Sequence, residues 1–142
     1  MLGTDRMVGA SIMPGDKGVV ESLFSIPGDT PSDINISFEL EKAHLLPYES
    51  DPHPRTTDFT IRGVNENNSG MFPSITGEFI SHYSRHLEEV KATAVLRNKG
   101  KIVASDITFI SDIEPESPKA FEFDLGSNAP IYDETEIYIC EW

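Results

Sequence analysis

Residues 87–110, LEEVKATAVLRNKGKIVASDITFI, decide the fold. Between Val90 and Leu96 apolar side chains recur at every second position, which puts Val90, Ala92, Ala94 and Leu96 on one face. A period of two is that of a strand with one buried face. Asn98-Lys99-Gly100 reads as a tight turn, because Asn and Gly tolerate the positive φ of hairpin turns. Lys101–Ser105, continuing through Ile107–Ile110, then returns as the partner strand. The competing helical window, His86–Val95, places only Leu87 and Val90 at helical spacing and has no capping residue before it.

The same alternation continues on both sides of this hairpin. Phe59–Val64 and Ile75–Ile80 precede it, and Phe121–Leu125 and Glu136–Cys140 follow it. Turn-forming clusters separate them, among them residues 65–70 (NENNSG) and 115–118 (PESP). Six short strands at regular spacing predict an all-β, antiparallel sandwich over residues 57–142. Residues 46–58 (LPYESDPHPRTTD) carry three prolines and no periodicity, so 47–56 is read as a linker. Before it, Val19–Ile26 and Ile34–Leu40 are two further strand patterns, making 1–46 an additional N-terminal two-strand segment.

That segment parallels the C-terminal part of the chain. Both run Ile-x-Pro, a short polar turn, an alternating strand, a proline-containing loop, an Asp and then Ile-x-Ile. Read as a repeat, residues 1–46 are half of a second copy, with open strand edges. The missing half is supplied either by the sheet of the following domain or by a second chain, as a homodimer through the N-terminal strands. The alternative is one enlarged sandwich built from all eight strands.

Several chemistries are disfavoured by composition. The chain has 142 residues, 38% hydrophobic and 25% charged, as expected of a folded domain. Its 24 acidic residues against 11 Lys and Arg give a formal charge of −13, a field that repels nucleic acid and anionic membrane surfaces. No apolar run approaches the ~20 residues of a membrane-spanning helix, so membrane insertion is not expected. The N-terminus shows no intact signal peptide. The single cysteine, Cys140, excludes an internal disulfide and reads as a small buried hydrophobe, with acidic neighbours that oppose a reactive thiol.

Searched for catalytic motifs, the chain has no nucleophile elbow and no glycine-rich phosphate loop. The candidates for metal binding are His82 and His86, four residues apart, and Asp112, Glu114 and Glu116 around Pro115. Calcium asks for roughly six to eight oxygen ligands from a constrained loop, and neither this cluster nor Asp133-Glu134-x-Glu136 has the loop pattern. Solvated histidines and charged strand edges account for them equally well, so no metal and no cofactor are expected. Asn35-Ile36-Ser37 and Asn67-Asn68-Ser69 match the glycosylation triplet and are given no role. Phe72, Tyr83 and Trp142 fall outside the clean alternation and are the candidate interaction residues; each serves equally well as a cap on the core.

Over residues 75–125, Thr76-Gly77-Glu78, Gly100-Lys101-Ile102-Val103-Ala104 and Ile113-Glu114-Pro115 resemble the FxLYD-type domain, with Met13-Pro14-Gly15-Asp16 similar to its Pro-Gly-acid turn. The signature itself falls on Ala94-Val95-Leu96-Arg97-Asn98, where only the leucine matches. The resemblance implies an immunoglobulin-like β-sandwich in a prokaryotic surface or lipid-anchored protein, and an extracytoplasmic location; a cytoplasmic one is the alternative. It brings no catalytic residues. The functional expectation is a non-catalytic module for adhesion, spacing or assembly. The alternative is a small ligand- or calcium-binding protein, or a hydrolase, using an acidic cleft.

Overall fold

The computed structural model describes residues 15–17, 19, 53–68 and 72–142. The proposed half-copy, apart from Gly15–Lys17 and Val19, lies outside the described residues, as does most of the linker. Of the latter, residues 53–56 are described: His53 is half-buried, Pro54 is buried and Thr56 opens a single 3₁₀ turn, Thr56–Asp58.

Six strands follow that turn: β1 (Phe59–Asn67), β2 (Ser74–Ser81), β3 (Leu87–Asn98), β4 (Lys101–Ile113), β5 (Pro118–Asp124) and β6 (Glu134–Glu141). They form two antiparallel three-stranded sheets, in the orders β1-β2-β5 and β4-β3-β6. The fold is therefore an all-β sandwich. Every strand expected between residues 57 and 142 is present.

Alternation explains which side of each strand is buried. From the first sheet Phe59, Ile75, Phe79, Phe121 and Phe123 point into the core, and from the second Leu87, Val90, Ala92, Ala94, Leu96, Ile113 and Ile139. The rings sit mainly on one sheet and the alanines on the other, so large and small residues interdigitate across the roughly 10 Å between packed sheets. Tyr132 closes one end. Its ring packs on the core and its hydroxyl donates to Asn68 Oδ1 at 2.6 Å.

Two β-bulges set the faces. Gly63, at φ 62°, lies where the β1–β2 register breaks, so that Gly63 and Val64 together oppose Gly77. The second bulge is in β4. Lys99 and Gly100 both have positive φ, as a two-residue hairpin turn of the primed type requires, and Asn98 pairs with Lys101 and Arg97 with Ile102. Leu96 then pairs with Ala104, leaving Val103 without a partner across β3. Because side chains alternate, that one extra residue reverses the facing of the rest of β4.

Candidate functional site

The consequence of the Val103 bulge is visible in the burial of β4. Without it, closure of the turn would place Phe109 opposite Val90 and Ile107 opposite Ala92, inside the sandwich. With it, Ala104, Asp106, Thr108 and Ile110 take the core side, opposite Leu96, Ala94, Ala92 and Val90. Ile107 and Phe109 turn outward, opposite Thr93 and Lys91, and remain 39% and 44% exposed. The more apolar row of β4 thus faces away from the core. A bulge that brings a polar row in and an apolar row out is unfavourable for folding alone, and surfaces of this kind mark contact sites.

Trp142 completes the patch. Its backbone N–H donates to the Glu89 carbonyl at 3.2 Å, which continues the β6–β3 alignment past the end of β6. The indole packs edge-on against Phe109, with ring centroids 5.1 Å apart, and the Lys91 ammonium lies 5.1 Å from the indole centroid. Lys91, Thr93 and Val95, the outward row of β3, are all below 7% exposed. The patch is bordered by acid: Glu89, Glu134 and Glu136 lie on this outer face, and Arg97 pairs with Glu136 at 2.9 Å.

Trp142 is thus one of the three aromatics expected to interact that does lie on this face. Tyr83 does not: its ring packs against the core, its hydroxyl accepts a hydrogen bond from Arg85 at 3.1 Å, and the same guanidinium lies 5.7 Å from the ring centroid. Phe72 is 67% exposed and precedes β2, while Tyr83 follows it, so the eight-residue strand holds them roughly 26 Å apart. Lys91, Ile107 and Phe109 were missed by reading the sequence. Alternation places Lys91 outward, but nothing in the composition of residues 101–104 announces the bulge.

The metal candidates come together only in part. His86, Asp112 and Glu114 offer ligand atoms within 4.8 Å of one another, all on exposed residues. His82 and Glu116 form a separate pair, with Nδ1 at 2.9 and 3.1 Å from the two carboxylate oxygens and Nε2 at 2.9 Å from Thr60 Oγ1. Both groups tie the 82–86 loop to the end of β4 and the turn after it, and a backbone bond does the same: Glu116 N–H donates to Ser81 O at 2.8 Å. Three exposed ligands fall short of a calcium shell, and the Lys119 ammonium, 3.8 Å from Asp112, already supplies positive charge there.

The His86 hydrogen bond to Asp112 (3.0 Å), with Lys119 assisting, holds the Asp112 carboxyl below its ordinary range. A lowered folded-state pKa stabilises above the unfolded value and is lost as pH falls through the folded one. Replacing His86 by Ala should therefore raise the Asp112 pKa toward the ordinary value, as followed by side-chain carbonyl NMR. An unchanged titration would mean that Lys119 alone sets it.

Cys140 is half-buried on the outer row of β6, its Sγ donating to Lys91 O at 3.7 Å, and burial pushes the thiol pKa up. A shallow depression over β2 and β5 contains two carboxylates, Glu78 and Glu122, the first ion-paired with Arg62 at 2.5 Å. Compared with models of protein families, with curated proteins and with solved structures, the chain matches none.

Proposed function

We infer that this chain is a non-catalytic assembly module whose outer β4-β3-β6 face docks a protein partner carrying an apolar anchor flanked by basic residues. The carrying observation is the Val103 bulge, which turns Ile107 and Phe109 away from the core and sets Phe109 against Trp142. Aromatic anchors in a desolvated centre are the usual source of binding energy at protein interfaces. The acidic border and the charge of −13 favour a cationic partner over a second copy of the chain. The strand order supports an immunoglobulin-like sandwich, with the first, second and fifth strands in one sheet and the third and sixth adjacent in the other. The extracytoplasmic setting rests on the resemblance to the FxLYD-type domain.

Trp142 is the only tryptophan, so its fluorescence reports on this face directly. Titration with a short Lys- and Leu-rich peptide should shift its emission to the blue, and Phe109→Ser should weaken binding at least tenfold while leaving the fold intact. A Glu- and Leu-rich peptide should leave the emission unchanged. Equal binding of both peptides, or full binding by Phe109→Ser, overturns the reading.

A further inference from the structure

Thr60, His82 and Glu116 form a hydrogen-bonded series on the other sheet, away from the β4-β3-β6 face. Thr60 lies in β1, His82 follows β2, and Glu116 lies in the turn between β4 and β5. Phe59 and Phe79 face the core, so Thr60 and its partner Ile80 point outward from the sheet. The His82 N–H donates to Asp58 O at 2.7 Å, which carries the same ladder past the end of β2 and sets His82 diagonally across from Thr60. Glu116 is fixed by its own backbone: its N–H donates to Ser81 O at 2.8 Å, and its φ is 59°. A non-glycine residue in the left-handed region is kept there by the contacts around it, and that backbone bond is one of them.

The order of the side-chain contacts assigns the protons. The Glu116 carboxylate oxygens lie 2.9 and 3.1 Å from Nδ1, and a carboxylate only accepts, so Nδ1 carries the hydrogen. In the neutral ring Nε2 keeps its lone pair. It lies 2.9 Å from Thr60 Oγ1 and accepts from that hydroxyl. A hydroxyl, an imidazole and a carboxylate joined in this order are the parts of an activated nucleophile. The bond from His82 to Asp58 also makes Thr60 and Ile80 the next hydrogen-bonded pair of the ladder. The Ile61 N–H therefore points away from β2 and offers a donor one residue from the hydroxyl.

We propose that Thr60 is an acyl-acceptor site, taking one acyl group from a neutral ester. Oγ1 bonds to the ester carbonyl carbon while its proton passes to Nε2. The bond from that carbon to the leaving oxygen then breaks, and the leaving oxygen takes the electron pair and the proton from Nε2. An acyl-threonine and an alcohol result, with no change of oxidation state. Ile80 and Pro118 follow Thr60 across the outer face of the sheet and give a short acyl chain an apolar rest. The Glu116 carboxylate and the charge of −13 disfavour an anionic donor such as an acyl phosphate. This role does not depend on what the β4-β3-β6 face binds, and it asks for one transfer rather than turnover.

Incubated with p-nitrophenyl acetate, the full chain should gain an acetyl group on Thr60, located by peptide mass spectrometry. Thr57, exposed in the preceding 3₁₀ turn, is the internal control and should react far more slowly. His82→Gln and Glu116→Gln should each slow acetylation of Thr60 by about a hundredfold. Thr60→Ser keeps the hydroxyl and should still react. All three positions are exposed, and an unchanged urea midpoint shows that each variant is folded. Acetyl groups confined to lysines and the N-terminus would overturn the proposal. So would acetylation of Thr60 at the rate of Thr57, or at an undiminished rate in folded His82→Gln or Glu116→Gln.

Discussion

Phe79→Ala should lower the unfolding free energy by about 3–5 kcal/mol, seen as a large drop in the urea midpoint with little change in slope. Phe79 has no exposed surface, and its ring meets Phe59 edge-on with centroids 6.0 Å apart. It lies on the central strand of its sheet, paired with Ile61 on one side and Lys119 on the other, so no neighbour can collapse into the space without breaking a ladder. Domains of this size are stable by about 5–15 kcal/mol in all, and the variant would lose a large share of that. Phe109→Ser, by contrast, removes a ring that is 44% exposed and should change the midpoint only slightly. If the two substitutions cost the same, Phe109 belongs to the core and the outer face is not a separate surface.

Gly77→Ala is the second large effect, and it comes from overpacking rather than from backbone strain. Gly77 is not among the glycines with positive φ. It occupies the core-facing row of β2 between Ile75 and Phe79, and a Cβ there would lie 2.5 Å from Cζ of Phe121 and 3.0 Å from Cε2. The Phe121 ring lies directly over the glycine and is itself 4% exposed, packed at a tilt of 54° against Phe123 with centroids 5.5 Å apart. To admit a methyl group the ring must leave its place, which costs about 1–3 kcal/mol. Gly77→Val should cost more. In a double-mutant cycle, Phe121→Leu should recover part of the loss from Gly77→Ala, because the shorter side chain vacates the contested volume. Strict additivity in thermal or urea unfolding would show that the clash is relieved elsewhere.

How much of this was legible in the sequence depends on whether local alternation carried the information. It did for β3: Val90, Ala92, Ala94 and Leu96 are the inward row, and the turn at Lys99-Gly100 is where Asn and Gly indicated it. It did for β2 and β5, where Ile75, Phe79, Phe121 and Phe123 all point inward. It did not for β4, because both of its rows contain apolar residues and a single unpaired Val103 chooses between them. The main candidate site therefore depended on a register, which is a long-range property. The polar end of the sandwich was legible only as a set of residue types. That His86 meets Asp112, and His82 meets Glu116, follows from the packing of the 82–86 loop against the end of β4 and the turn after it, where Asp112 and Glu116 both adopt positive φ. Neither pair has a sequence spacing that announces it.

The β3–β4 hairpin has one more consequence, for the order in which the molecule is made. It is the longest pair among the described strands and is closed by only two residues, whereas β2 must wait for β5, from Ser81 to Pro118, and β3 for β6, from Asn98 to Glu134. Short closures form in microseconds and long ones lag. The hairpin is therefore the earliest pairing open to the described strands, and it arises with apolar residues on both sides: Val90, Leu96 and Ile110 on one, Ile107 and Phe109 on the other. A ribbon of that kind has no solvent side of its own. Until β6 arrives, it is the repulsion between like-charged chains that keeps nascent copies apart, so raising the salt during refolding should lower the yield of monomer well before it affects the finished protein.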